Sequence, residues 1–522
     1  MPHAIAFHRL LRCLNQAQHL NLAADDQPSP KSVTRRRFIK TAMNAGVLAT
    51  AISAMPKAFA ASKKIVVIGA GLAGLNAAYQ LKKAGVDAVV YEASNRVGGR
   101  IRTVKGQVGP GLETDLGGEL VNTNHTDLLG LAEEFGIGLT SRKEPNDALQ
   151  KVGFYFGGRF YPEAELAEIL RPFAAQMMED ANALDEDWGN QAPRLDAMSV
   201  ADYLDRYQNL IPKSPDIRRL MESVVEVEYG VPANNSSALQ LLFSLPSVDG
   251  EQVELISESD EAYVLNGGSE SVIANLTNIL SEQIHLNSPL TRLEKSGSEY
   301  KLWIGEQEPV LADYVVLALP LPALRKVELN VVLPTSLARF IKEVDLGRNE
   351  KIVAGVKRRV WRNPKGFEIE AWSDQSVGLI WDSSLRQLEQ AEGSLTYFLS
   401  AHEVDKYSTG SANEQGQKLI QEFDTILPGL LQQNNQKFLR SAWYKTPGIE
   451  GAYTNFKPGQ YTGLASEWLW VESDDAEERV EFAFEKLVFA GEHTSDEYYG
   501  FMNGAAESGR LAAEFIMRNI AQ

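Results

Sequence analysis

The stretch KKIVVIGAGLAGLNAAYQL at residues 63–81 constrains the fold more than any other part of the chain. Ile65 to Ile68 form an unbroken run of β-branched residues, which fits a strand buried on both faces of a parallel sheet. Gly69, Gly71 and Gly74 follow as G-x-G-x-x-G. The alanine-rich segment after them spaces Leu75, Ala78, Tyr79 and Leu81 as the packing face of a helix. A second run, DAVVYEAS, ends in Glu92, 21 positions after Gly71. Strand, glycine turn, helix and acidic residue in this register build a βαβ unit. Such a unit seats a pyrophosphate on a helix N-terminus and binds a ribose through a carboxylate. The expected fold class is α/β. The motif alone does not separate a nicotinamide from a flavin dinucleotide.

The segments that follow do. In EASNRVGGRIRT (92–103), Arg96 and Arg100 bracket Gly98-Gly99, so backbone and guanidinium groups can meet phosphates. ETDLGGEL (113–120) adds Gly117-Gly118. Far downstream, LVFAGEHTSDEYYGFMNGAAESGRLAAEFI (487–516) reads as a strand, a turn at Gly491-Glu492, and a helix over 504–516. Together these blocks resemble the flavin amine oxidase family, which includes monoamine oxidases and L-amino-acid oxidases. The resemblance implies a Rossmann-like FAD-binding domain of the amine oxidase type, over 61–125, 262–322 and 445–522. It also implies a discontinuous α+β substrate-binding domain over 126–261 and 323–444. YVLNGGSESVIANL (263–276) resembles the turn and helix by which family members return to the flavin domain.

The family pattern assigns cofactor contacts to Gly69, Gly71, Gly74, Glu92, Arg96, Gly99, Arg100, Gly117 and Gly118. It places the Leu290 backbone at the adenine, Trp443 at the flavin, Glu492 near the ribityl-phosphate part, and Met502 at the head of the last helix. Members that bind flavin covalently carry a cysteine just before a conserved-type tyrosine; here that position is Ala452. The chain's one cysteine, Cys13, lies outside residues 61–522. FAD is therefore expected to be non-covalent.

Three residues are expected to carry the chemistry. Tyr453 and Phe501 match the two aromatic walls that sandwich the substrate amine. Lys351, in NEKIVAGVKRRVW (349–361), matches a lysine that faces inward and holds a water near flavin N5. Taken without the family, it reads as a charge guarding a strand end. Lys357 is its rival on the same stretch, but its neighbours look like a solvated exit. L-amino-acid oxidases of the family often carry an arginine where this chain has Leu120, which leaves Arg102 or an arginine of the substrate domain as candidate carboxylate ligands. Glu226, Glu228, Asp496 and Glu497 are acidic candidates for a second, cationic substrate group, or plain surface charges.

The implied reaction is oxidative deamination of a primary amine or L-amino acid to an imine, those four carboxylates pointing to a basic one. The imine hydrolyses to an aldehyde or keto acid plus ammonia, and O2 reoxidises the cofactor to give H2O2. Alternatives are a dehydrogenase passing electrons to a quinone or redox partner, a carotenoid desaturase-like enzyme, and an inactive flavin-binding structural protein.

Charge and composition narrow the partners. The 522 residues carry a net charge of −18, which disfavours nucleic acid and anionic membranes. His125, His285, His402 and His493 are far apart and form no metal-spaced pair, so no metal is expected. TRRRFIKTAMNAGVLATAISAMPKAFA holds Arg35-Arg36, a short apolar stretch and Ala58-Phe59-Ala60. It resembles a twin-arginine export signal over residues 1–60. A periplasmic or otherwise exported protein follows as the expectation, with the export machinery as a partner and no transmembrane span after cleavage. A homodimer is compatible with the sequence.

Overall fold

A computed structural model describes residues 63–142, 149, 152–211, 215–243, 246–249, 252–255, 260–363, 366–473 and 479–521. The twin-arginine segment lies outside the described residues.

Strand β1 (Ile65–Ile68) buries all four side chains and is followed by helix α1 (Leu72–Lys83) and strand β2 (Ala88–Tyr91). β1 pairs in parallel with β2 on one side and with β3 (Tyr314–Leu317) on the other. β3 in turn pairs in parallel with β4 (Leu487–Phe489). With Ile284–His285 outside β2 and Ala483–Phe484 outside β4, this makes a six-stranded sheet. Its central strands come from both ends of the chain. The chain's last long helix, α2 (Met502–Ile520), lies against α1. The approach is close enough that a Cβ on Gly509 would stand 2.3 Å from the Ala73 carbonyl oxygen. Asn76 Nδ2 donates to the Ala506 carbonyl across the same contact.

The second layer is a seven-stranded sheet. Its order is Asn434–Arg440, Asn349–Val356, Gly393–Ser400, Leu379–Asp382, Glu370–Ser373, Val152–Phe156 and Arg159–Phe160. The helix Pro215–Tyr229 packs on two of these strands. A smaller four-stranded sheet holds Leu290–Ser296, which pairs in parallel with Glu328–Asn330. A segment beyond residue 323 thus returns a strand to the neighbourhood of the first sheet. One apolar core runs continuously from β1 to Trp372, Trp381 and Phe398 of the second sheet, so the layers are fused rather than loosely tethered. Among the described residues, no helix is long and apolar enough to cross a membrane.

The strand Asn349–Val356 is buried along its whole length. Alternation sends Ile352, Ala354 and Val356 into the core beneath the sheet. It sends Val353, and with it Lys351, to the opposite face, toward Val104, Leu112 and Leu116. The strand stops at Val356. Lys357 and Arg358 are exposed, and Trp361 is buried separately with its Nε1 donating to Asp382.

Candidate active site

One cavity of about 680 Å3 lies between the two sheets. Its wall brings together the glycine turn after β1, Glu92, the 94–101 loop, Gly117 to Leu120, Leu290, Lys351, Trp443, Tyr453, Glu492 and the start of α2. Every catalytic and cofactor residue expected from sequence borders this space except Gly74, which packs behind it. A Cβ on Gly74 would lie 2.0 Å from the Gly69 carbonyl oxygen, so its role is to let α1 close on the turn.

The glycine turn fits a pyrophosphate. Gly69 has φ +105°, a conformation other residues rarely adopt, and a Cβ there would meet the Ala318 carbonyl at 2.4 Å. Gly71 caps α1 without a side-chain hydrogen bond, and no protein atom lies within 4 Å of where its Cβ would be. The open space is on the cavity side, at the positive end of a twelve-residue helix. Glu92 closes the turn: Oε2 accepts from Ala70 N at 2.8 Å and Oε1 from Ser94 N at 2.9 Å. These bonds fix the carboxylate and leave lone pairs for a ribose.

Arg96 and Arg100 are both engaged by protein groups. The Arg96 guanidinium donates to the carbonyls of Val97, Ile101 and Gly99, holding its own loop closed over Gly98-Gly99. Arg100 Nη1 donates to Glu492 Oε1 at 2.8 Å. Glu492 is buried; its Oε2 accepts from Thr454 Oγ1 at 2.7 Å and Gly500 N at 2.6 Å. Burial alone would raise this carboxyl, but Arg100 and the Thr454 hydroxyl outweigh it and hold it below the usual carboxylate range. The adjacent His493 is held down at about 4 by burial, against the pull of Glu492. It is neutral at ordinary pH.

The Gly117-Gly118 pair is pressed between elements. A Cβ on Gly117 would lie 1.8 Å from the Arg100 carbonyl oxygen, and one on Gly118 would lie 2.7 Å from the Met502 side chain. Met502 opens α2, which begins two residues earlier than its alanine spacing suggests. Leu290 is buried at the start of its strand, and Trp443 Nε1 donates to the Leu116 carbonyl at 3.1 Å.

Lys351 is buried, and its Nζ enters the cavity wall from the second sheet. It donates to the Asp115 carbonyl at 2.9 Å, the Gly117 carbonyl at 2.9 Å and Glu119 Oε2 at 2.6 Å. Three protein acceptors thus lie within hydrogen-bond reach of the ammonium. Glu119 is itself a buried carboxylate, and this lysine is its ion-pair partner.

Tyr453 is half-buried on the cavity, just before the short strand Thr454–Asn455, and its carbonyl accepts from Gly347 N at 2.6 Å. Burial pushes its phenol well above the ordinary value. Phe501 caps α2 and packs edge-on against His125, with ring centroids 4.9 Å apart. Leu120 is buried, Arg102 exposed. None of Glu226, Glu228, Asp496 and Glu497 borders the cavity. Glu226 pairs with Arg219, Asp496 accepts from the Tyr461 hydroxyl, and Glu497 is exposed, whereas Glu228 is buried.

The sequence reading did not single out Glu119, Thr454 or His493. For Glu119 a signal existed: one carboxylate inside the apolar run LGGELV requires a buried cation.

A family model described as flavin containing amine oxidoreductase matches residues 72–517. Among curated proteins, a flavin-containing amine oxidase of Oncorhynchus mykiss is 24% identical over 466 residues, covering 87% of this chain and 85% of its own. Flavin-containing amine oxidase B of Homo sapiens is 24% identical over 466 residues, covering 87% and 86%. Among solved structures, putrescine oxidase bound to putrescine superposes with a TM-score of 0.72 at 22% identity, over 87% of this chain and 99% of that one. Cyclohexylamine oxidase from Brevibacterium oxydans gives 0.73 at 22%, over 88% and 100%. These structural likenesses speak for a shared fold.

Proposed function

Because this chain belongs to the flavin-containing amine oxidoreductases, with FAD as cofactor, we propose that it oxidatively deaminates a primary amine. The products are an aldehyde, ammonia and, with O2 as acceptor, H2O2. The observation that carries this reading is the single cavity in which a dinucleotide cradle, Lys351, Tyr453 and Phe501 meet. FAD, when bound, would supply the two-electron acceptor, taking up the hydride of the amine-bearing carbon.

The residues of the chain bind, orient and exclude water. Tyr453 and Phe501 present aromatic surface to an amine and desolvate it, which favours the neutral form that can be oxidised. Burial raises the Tyr453 phenol, which favours its protonated form. The N-terminus of α2, with no side-chain cap, offers unpaired amides where negative charge develops. The neutral His493 adds no charge of its own.

A primary amine is favoured over an L-amino acid because, among the described residues, a substrate carboxylate finds no uncommitted guanidinium at the cavity. The arginines bordering the cavity are Arg96 and Arg100, and both are engaged. We further propose export through the twin-arginine pathway, on the strength of the Arg35-Arg36 segment.

The test is anaerobic addition of primary amines and L-amino acids to the purified yellow protein, followed by readmission of air. Bleaching by amines with H2O2 on reoxidation supports the proposal. Bleaching by none sinks it. Bleaching followed by slow recovery in air, accelerated by a quinone, makes the enzyme a dehydrogenase instead.

A further inference from the structure

We infer that Glu119 is a positioning residue for Lys351, holding the ammonium as one half of a neutral pair in the cavity wall. The inference rests on the proposed flavin-dependent reaction at this site and concerns the charge its lysine presents there.

A charged lysine has three protons and no lone pair. Lys351 Nζ has three acceptors in place, at 2.9, 2.9 and 2.6 Å, the shortest being Glu119 Oε2. Both side chains are only 3% exposed. The Trp381 ring lies 5.0 Å from Nζ and closes another side. An ammonium in this setting is held on several sides by protein groups. The two carbonyls alone would leave it a buried, uncompensated cation; Glu119 cancels the charge at contact distance.

The neighbouring charges are already matched. Asp115 Oδ2 meets Arg386 Nη2 at 2.5 Å. Glu350, the next residue on the lysine strand, is held by Arg440 at 2.6 Å. Glu119 is also fixed in place, because Gly118 before it is pressed against Met502 and the Gly117 backbone against Arg100. The pair ties the 113–121 segment to the second sheet, and both of its members border the cavity. Its electrostatic consequence is that Lys351 exerts little net field on a bound flavin.

The experiment is a spectroelectrochemical titration of the bound flavin in the purified holoprotein, with no amine present. Wild type is compared with Glu119→Gln, Glu119→Asp, Lys351→Met and the double variant Glu119→Gln/Lys351→Met. Glu119→Gln uncovers the lysine charge, and an uncovered cation favours the more negative reduced state. Its midpoint potential is expected to shift upward. Glu119→Asp should restore the wild-type potential, and the double variant should return close to it. An unchanged potential in Glu119→Gln overturns the inference, and so does a double variant that keeps the upward shift. If Glu119→Gln does not fold, the double variant, which leaves neither charge unpaired, must yield more soluble holoprotein; equal failure of both overturns the inference. Because the potential is read without substrate, failure of every amine to bleach the flavin would refute the proposed reaction and leave the pair to be judged separately.

Discussion

Arg100 and Glu492, 392 positions apart in sequence, meet in an ion pair of 2.8 Å beside the cavity. The pair joins the loop after β2 to the turn after β4, and Thr454 and Gly500 complete the carboxylate's hydrogen bonds.

Acid should therefore attack this junction first. Glu492 is depressed below the usual carboxylate value, so its contribution is present at neutral pH and is lost as pH falls through its folded-state value. His493, depressed from 6.5 to about 4, acts with the same sign. The unfolded chain takes up its proton between those values, which costs the fold about 3 kcal/mol by the lower end. Melting temperature measured from pH 7 to pH 4 should fall steadily, and His493→Asn should flatten the upper part of that fall. Glu492→Gln should cost about 1–3 kcal/mol at pH 7 in chemical denaturation.

Two glycines should fail in different ways. Gly71→Ala puts a methyl into space free of protein atoms, so the apoprotein should melt as wild type does. The methyl would occupy the cofactor's side of the turn, and FAD affinity should fall at least about tenfold, or about 1.4 kcal/mol. Gly117→Ala drives its methyl onto the Arg100 carbonyl and should lower the melting temperature with or without FAD. Titration calorimetry of the two apoproteins with FAD, beside thermal melts, separates the cases.

All of the flavin should leave the protein on denaturation. Residues 61–522 contain no cysteine, and the residue before Tyr453 is Ala452. Acid precipitation should give a colourless pellet and a yellow supernatant; colour retained in the pellet would refute the non-covalent reading.

The Tyr453 phenol remains protonated because burial raises it. Tyr453→Phe should keep the pH profile of flavin reduction, while Tyr453→Ala should raise the amine concentration needed for half-maximal rate severalfold. A profile that moves in the phenylalanine variant would assign the hydroxyl a proton-transfer role.

Arg35→Lys/Arg36→Lys should retain the full-length protein in the cytoplasm of a host with a twin-arginine system, as read by cell fractionation. Export undiminished by the double substitution would exclude that pathway.

The fold's outline was legible because its signals are local. The β-branched run of β1, the glycine turn and Glu92 lie within one short stretch, and the structure keeps their register. The placing of the lysine strand between flavin-type blocks likewise put Lys351 at the cavity. Its partners were not legible. Glu119 lies 232 positions from Lys351, and periodicity carries no information about which buried carboxylate meets which buried cation. The same holds for Arg100, whose partner Glu492 lies 392 positions away. His493 looked like one more isolated histidine, and only its burial, which outweighs the pull of Glu492, explains its neutral state.

The cofactor sheet joins β1 to a strand from the middle of the chain and, beyond that, to one from its far end, and sets α1 beside α2. During synthesis the glycine turn therefore emerges hundreds of residues before the strand and helix that complete its surroundings. An emerging chain cannot grip FAD until its final helix has left the ribosome, and a late premature stop would leave an apolar, flavinless species prone to aggregation. For a protein proposed to leave the cytoplasm already folded, cofactor capture then doubles as a check that translation has finished.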